Sequence, residues 1–284
     1  MKRTKIIPHL VSGILKGVIP FGFLLLLAFP AVLRAKQQED FDQYKLRLDT
    51  VWFFSSPSGY IQGTKTGDSA TIDFQKDLGF NSYSTFGGKI DWKFTRKNHF
   101  YVVINPFYTS HQTTLNRTFT FQGTVFNAGL VAQSDLHAFL VAPGYQYDFV
   151  RRKRGHFGIG VQVDLFNSSA NISATGMVNG FQTSVSASGS LLAPIPVGGP
   201  DFRLYLTNSP RLFVEGNVFG MYFGGYGNYV STADALGVKL AKHISATFGY
   251  QLASRLTVNN NNSSNRVGLR LTQKGAIAGL EFSF

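Results

Sequence analysis

Residues Ala276–Phe284 read Ala-Ile-Ala-Gly-Leu-Glu-Phe-Ser-Phe, ending on an aromatic. Ala278, Leu280, Phe282 and Phe284 share one face. Ile277, Gly279, Glu281 and Ser283 share the other, which is mostly small or polar. Side chains of a strand alternate with period two, so this stretch is a strand between an apolar and a polar environment. A terminal Phe exposed to water is unfavourable, but on a barrel strand it can rest against lipid. Such a strand needs partners, and the chain before it is read for them.

Nine further stretches alternate in the same way. Residues 43–54 set Tyr44, Leu46, Leu48, Trp52 and Phe54 against Lys45, Arg47 and Asp49. Residues 84–94 set Phe86, Ile90, Trp92 and Phe94 against Gly87, Lys89, Asp91 and Lys93, and 99–109 continue with Phe100, Val102 and Ile104. Residues 134–149 align Phe139, Val141, Tyr145, Tyr147 and Phe149 opposite Gln146 and Asp148. In 156–166, Phe157, Ile159, Val161, Val163 and Leu165 oppose Gly158, Gly160, Gln162 and Asp164. Pro194, Pro196 and Pro200 confine the next strand to 201–206, with Arg203 opposite Phe202, Leu204 and Leu206, because proline belongs at strand starts, bulges or edges. Residues 211–223 place Arg211, Glu215 and Asn217 opposite Leu212, Val214, Val218 and Tyr222. Residues 232–240 alternate weakly, with Leu236, Val238 and Leu240 against Gly237 and Lys239, and a helical turn is the other reading. From Ile244 to Val258 the alternation is cleanest, with Phe248, Tyr250 and Leu256 on the apolar side and Gln251, Arg255 and Thr257 opposite.

The connections alternate too. Short polar turns fall at 95–98, 151–155, 207–210 and 241–243, while 55–83, 110–130, 167–188, 224–231 and 259–272 read as loops. Phe119 and Phe121 alternate with Thr within 110–130, as in a hairpin rising above a membrane. Short periplasmic turns and longer outer loops are the habit of outer-membrane barrels. With both ends on the periplasmic side the strand count is even. Ten fits, and eight remains if 224–243 holds no strand pair. The fold class is therefore all-β, a transmembrane antiparallel up-and-down β-barrel.

A secreted carrier barrel would also alternate, with its apolar face inward. Three features favour the membrane. Aromatics collect at both strand ends, with Trp92, Phe94, Tyr145, Tyr147, Phe149 and Phe284 near short turns and Trp52, Phe54, Phe86, Tyr108, Phe166 and Tyr222 near the loops. Such rings favour the two bilayer interfaces. The polar faces are rich in Gly, which suits a narrow lumen. The apolar faces span about 9–11 residues, the length a tilted strand needs to cross. An open edge in hydrocarbon would strand backbone groups at several kcal/mol each, so the last strand must pair with the first.

Residues 1–35 carry five Lys/Arg, no acid, and an apolar run from Gly17 to Leu33 broken by Pro20 and Pro30. They read as a signal peptide cut near Ala35, leaving residues 36–284 as one barrel domain. A retained inner-membrane helix is the other reading, but the run is short for a span. The formal charge of +12 then falls to a surplus of seven bases, spread along the chain, which makes nucleic acid a poor partner. The absence of Cys excludes disulfides, cysteine-bound metal and a lipidated N-terminal Cys.

With its export signal, the segments Gly88–Phe94 and Pro143–Phe149, and the ending Gly279–Phe284, the chain resembles the small outer-membrane β-barrel families of the OmpA and OmpW type. The resemblance covers residues 43–284. It implies residence in the bacterial outer membrane, with membrane lipid and lipopolysaccharide as neighbours. It also implies that Leu280, Phe282 and Phe284 form the signal read by the barrel-assembly machinery. Ten strands depart from the eight usual in those families.

The chemistry available is the inward charge: Lys45, Arg47, Lys89, Lys93, Arg203, Arg211, Lys239 and Arg255, facing Asp49, Asp91, Asp148, Asp164, Glu215 and Glu281. Either these pair across strands and fill the bore, as in small barrels, or they line a polar pore. His99, His156 and His243 follow short turns and suit headgroup contacts at the rim. The turn 151–154 reads as solvated, or as touching anionic headgroups. His111 and His137 border a loop, but neither has a nucleophile or acid at a motif spacing. No metal-ligand spacing or phosphate loop occurs, so no cofactor is expected. The function expected is a structural or narrow passive-channel role without catalysis. An outer-membrane hydrolase or lipid-modifying enzyme with a loop-borne site is the alternative.

Overall fold

A computed structural model of the protein describes residues 41–65, 68–207, 211–223, 227–260 and 265–284. The expected signal segment 1–35 lies outside the described residues. Thirteen strands follow in order: β1 (Leu46–Lys65), β2 (Asp68–Asp73), β3 (Tyr83–Lys93), β4 (Asn98–Thr114), β5 (Phe119–Phe121), β6 (Thr124–Phe126), β7 (Val131–Arg152), β8 (Gly155–Val178), β9 (Phe181–Tyr205), β10 (Leu212–Phe223), β11 (Gly227–Ala241), β12 (Ile244–Asn260) and β13 (Asn265–Ser283). Ten of them form an antiparallel wall in the order β13-β12-β11-β10-β9-β8-β7-β4-β3-β1, and β13 pairs with β1 to close it. The closing ladder runs from Arg47↔Ser283 to Lys65↔Asn265. No sheet edge is left for lipid to meet. β2 hangs on the outer end of β1, and β5 pairs with β6 as a separate hairpin.

The apolar stripes look outward. Trp92 is 55% exposed, Ile159 52%, Val161 53% and Phe248 61%. In water so broad an apolar band would be costly, and a patch of that size marks contact with a membrane. At the short-turn end the girdle rings touch one another. Trp92 and Phe94 lie 5.7 Å apart, Phe100 and Tyr145 5.5 Å, and Phe149 and Phe157 5.1 Å. Leu280 and Phe284 also face outward, and Phe284 stacks on the His243 ring.

The sequence reading errs on the loops. Residues 167–188 are mostly strand, because β8 and β9 run on to a two-residue turn at Asn179-Gly180. Both residues there have positive φ (51° and 82°), the backbone that Asn-Gly adopts in a tight hairpin. Much of 55–83, 110–130 and 259–272 is likewise strand. Polar residues on both faces mark a wall that has risen out of the bilayer into water, with its backbone ladder intact. The weak stretch 232–240 is strand throughout, within β11, so the count is ten rather than eight.

Pro194, Pro196 and Pro200 sit inside β9 rather than before it. They share one parity, so their missing N–H groups point to one neighbour. β9 pairs with β8 along its whole length, whereas its ladder with β10 stops at Gly198↔Gly220. In β12 the register slips between Gln251 and Ser254. A bulge there reverses the faces, and Leu256, expected outside, is buried within. Phe166, expected in the outer girdle, follows the inward parity of Asp164 and packs against Ile195, Val197, Phe219 and Leu256.

Inward aromatics lie flat over cross-strand glycines. Tyr101 pairs with Gly144 and Phe213 with Gly237. A Cβ on Gly144 would come within 2.4 Å of the Tyr101 ring, and one on Gly237 within 2.0 Å of Phe213. Those glycines are what leave space for the rings.

Candidate functional site

The site is a charged plug across the short-turn end of the lumen. Its hub is Asp42, which precedes β1 in a stretch that turns into the bore. Two backbone bonds anchor that stretch: Phe41 N–H donates to the Lys153 carbonyl at 2.8 Å, and Lys45 N–H donates to that of Phe284 at 2.6 Å. The Asp42 carboxylate meets Lys93 Nζ and Arg151 Nη2 at 3.3 Å each, His156 Nδ1 at 3.2 Å and Arg203 Nη1 at 3.4 Å. Its carbonyl accepts from Lys93 at 3.0 Å and Arg151 at 2.7 Å. Tyr44 enters with it, placing its ring 3.6 Å from Lys93 Nζ and 4.7 Å from the Arg47 guanidinium.

Around this hub the strands contribute their inward charges. Asp91 meets Arg47 at 3.2 Å, Lys89 at 3.5 Å and His99 Nδ1 at 3.1 Å. His99 Nε2 lies 2.9 Å from Asp148, which also takes Arg151 Nη1 at 2.7 Å. His156 Nε2 meets Asp201 at 3.2 Å. Arg203 bonds Glu281 through both terminal nitrogens and Glu215 at 2.5 Å, and Arg47 Nε lies 3.4 Å from Asp49.

Each of the two histidines has a carboxylate at both ring nitrogens. His99 Nδ1 also lies 3.2 Å from the Tyr44 hydroxyl. Asp42, Asp49, Asp91, Asp148, Asp201, Glu215 and Glu281 face Arg47, Lys89, Lys93, Arg151, Arg203, His99 and His156. Buried charge is tolerated only where it is paired in this way.

Several expected positions change. Lys45 and Arg211 are exposed rather than in the lumen, because β1 starts at Leu46 and β10 at Leu212, and alternation does not hold outside the ladder. For the same reason Tyr44, expected outside, is inside. His99 and His156 lie in the plug rather than at the headgroups, and Arg151 leaves its turn to join them, with its side chain 2% exposed. Lys239 is half-buried in β11. Asp164 is buried above the plug, where Gln162 Nε2 donates to it at 2.6 Å. Arg255 belongs to β12, but its side chain lies outside the described residues. Asp42 and Arg151 carry no strand signal in the sequence, and Tyr44 carries one for the opposite face. Asp201, His99 and His156 carry one: each has the inward parity of its strand, at or beside the strand end.

The far mouth is packed by different means. Phe74, Leu78, Phe80, Leu115, Phe119, Phe121, Phe126 and Leu130 pack on inward positions of β4, β7 and β8, including Phe107, Ala132, Leu136 and Ile172. Outside this core, Arg117 grips Asp77, with Nε 2.8 Å from Oδ1. Burial pushes the Asp77 carboxyl up, but the Arg117 hydrogen bonds outweigh it and hold the group below its ordinary value. Two cavities of about 270 and 230 Å³ lie in the bore, the first lined by plug residues including Arg47, Asp49, His156, Arg203 and Glu281. His111 sits inside the mouth beside Gly79, and His137 faces out against Tyr108 at 4.4 Å. Among the described residues neither is bonded to an acid or a hydroxyl, and no cluster suited to a metal ion occurs.

No family model and no curated relative matches the chain. Solved structures do. The outer membrane protease OmpT from Escherichia coli superposes with a TM-score of 0.58 at 12% identity, covering 86% of this chain and all of that one. The toluene transporter TodX of P. putida gives 0.38 at 9% identity (86% and 91% covered), and Ail of Yersinia pestis 0.30 at 8% (82% and 99%). These last two scores are too low to support an argument. At 12% identity the OmpT likeness shows the fold, that of an outer-membrane barrel, and no activity.

Proposed function

We propose that this outer-membrane β-barrel is closed across its lumen and serves a structural role, holding tall strand ends above the bilayer rather than conducting solute. The observation that carries this reading is Asp42, seated in the bore and bonded to bases from β3, β7, β8 and β9. A passive pore needs a continuous wet path. Here most of the charges are paired, with Arg47 Nε and Nη1 and Asp49 Oδ1 left without a hydrogen bond, and the opposite mouth carries an aromatic-rich apolar cluster. The reading includes no catalytic role. Lipid and lipopolysaccharide contacts, and recognition of Leu280, Phe282 and Phe284 by the assembly machinery, belong to the same proposal.

Conductance in planar bilayers tests it. The natural protein is expected to be silent. Asp42→Ala combined with Tyr44→Ala is expected to pass current with anion preference, since Lys93, Arg151 and Arg203 would then face open water. Steady unit conductance from the natural protein would overturn the reading.

A further inference from the structure

The two cavities of the bore share part of their lining: Lys89, Val103, Asn105, Asp201, Asn217 and Gln251. The ions among these are engaged, Lys89 with Asp91 at 3.5 Å and Asp201 with His156 at 3.2 Å. Other polar groups around the smaller cavity are tied to one another. The Tyr101 hydroxyl donates to Gln162 at 2.9 Å, and Gln273 Nε2 donates to the Tyr83 hydroxyl at 2.8 Å. The three amides differ. Asn105 on β4, Asn217 on β10 and Gln251 on β12 are half-buried on inward positions. Among the described residues none of their side chains has a hydrogen-bond partner, and none has a fully buried polar atom. Around the closed wall β4 stands four strands from β10 and four from β12. The three amides therefore reach into the bore from different sides and meet at one level.

An amide donates and accepts, so three unpaired amides suit a ligand whose own groups do both, as hydroxyls do. The smaller cavity adds flat apolar surface from Tyr101, Phe166, Phe219 and Tyr229. Asp164, held by Gln162 at 2.6 Å, adds a further acceptor. Hydroxyls on the edge of a ring and C–H groups on its face are the two surfaces of a pyranose. The smaller cavity has room for about eight waters, enough for a pyranose that displaces most of them. The wall is low beside it: β9 runs on to Phe181 beyond its last pairing with β10 at Gly198↔Gly220, whereas β10 ends at Phe223. We propose that the bore binds a neutral hexose, entering over the low wall, hydrogen-bonded by Asn105, Asn217 and Gln251 and laid against the aromatic side of the smaller cavity. The site is independent of the structural role proposed above. Conduction would overturn that role and leave the sugar site standing, and a barrel that binds no sugar would leave that role intact.

Saturation-transfer NMR on the full-length protein folded in lauryldimethylamine oxide micelles, which carry no sugar headgroup, gives the test. The probes are D-glucose, D-galactose and N-acetyl-D-glucosamine at millimolar concentration, with choline as a cationic comparison. At least one sugar is expected to show saturable transfer to its ring C–H protons, and choline none. Asn217→Ala and Gln251→Ala should each raise the half-saturating concentration about fivefold, the worth of one hydrogen bond, while the heat-shifted gel mobility of the folded barrel persists. Asn217→Asp keeps the shape, removes the donors and should weaken binding in the same sense if the alanine variants do not fold. Saturable transfer to none of the three sugars would leave water as the occupant and overturn the proposal. So would saturable binding of choline in their place, or a half-saturating concentration unmoved in any folded variant.

Discussion

At one end of the lumen Asp42 and a ring of paired charges sit across the bore, and at the other phenylalanines and leucines form an apolar cap on part of the rim. The charged end draws on β1, β3, β4, β7, β8, β9, β10 and β13, through Arg47, Asp91, His99, Asp148, His156, Arg203, Glu215 and Glu281. It ties most of the wall into one unit. The apolar end is local, since β2, residues 74–80 and the β5–β6 hairpin rest on only part of the rim. A buried ion pair adds little net stability over an apolar core, but losing one partner leaves a charge stranded. An apolar cap loses only area and gains a cavity. The two ends should therefore fail differently.

The largest effect is expected from Arg203→Met. It strands Glu215 and Glu281 and takes one of several bases from Asp42, and removing one member of a buried pair costs about 3–5 kcal/mol. Urea unfolding in detergent, followed by the gel shift of the folded barrel, should show a lowered midpoint for the whole molecule. An unchanged midpoint would mean that the plug does not unify the wall.

Phe126→Ala should cost about 3 kcal/mol by loss of a buried ring, but locally. Phe126 is fully buried and stacked 5.3 Å from Phe119. Amide exchange should accelerate across the β5–β6 hairpin while the urea midpoint of the barrel holds. A fall in both would merge the two ends into one cooperative unit.

The smallest effect is expected at Arg117→Ala, where an exposed partner limits the pair to about 1 kcal/mol or less. The Asp77 carboxyl is held below its ordinary value when folded. Its stabilisation is thus present above the unfolded value and disappears as pH falls through the folded one. In the natural protein, exchange protection of residues 74–80 should drop on acidification. In the variant it should already be reduced at neutral pH and depend less on acid. Equal acid sensitivity in both would remove Asp77 from the account.

The faces of the wall were legible before any coordinates because lipid imposes a strict rule on every outward position. Ile159, Val161, Trp92 and Phe248 follow it. The tall ends were not legible, because above the bilayer both faces meet water and polarity no longer distinguishes strand from loop. Asn179-Gly180, a pair suited to a tight hairpin, is the one cue within 167–188 that the stretch is two paired strands. The bulge in β12 was invisible too, since one extra residue reverses the faces without changing composition.

By itself the sequence determined an all-β membrane barrel, with ten strands as its best count and greasy stripes outward, since period two and apolar length are local properties of the chain. Only the tertiary structure decided what fills the bore. Asp42 and Arg203 are 161 residues apart in the chain, and no local pattern brings them within bonding distance. Closure of β13 on β1 and the inward turn of residues 41–45 do so, since a carboxylate held there can remain ionised only where bases from several strands converge on it.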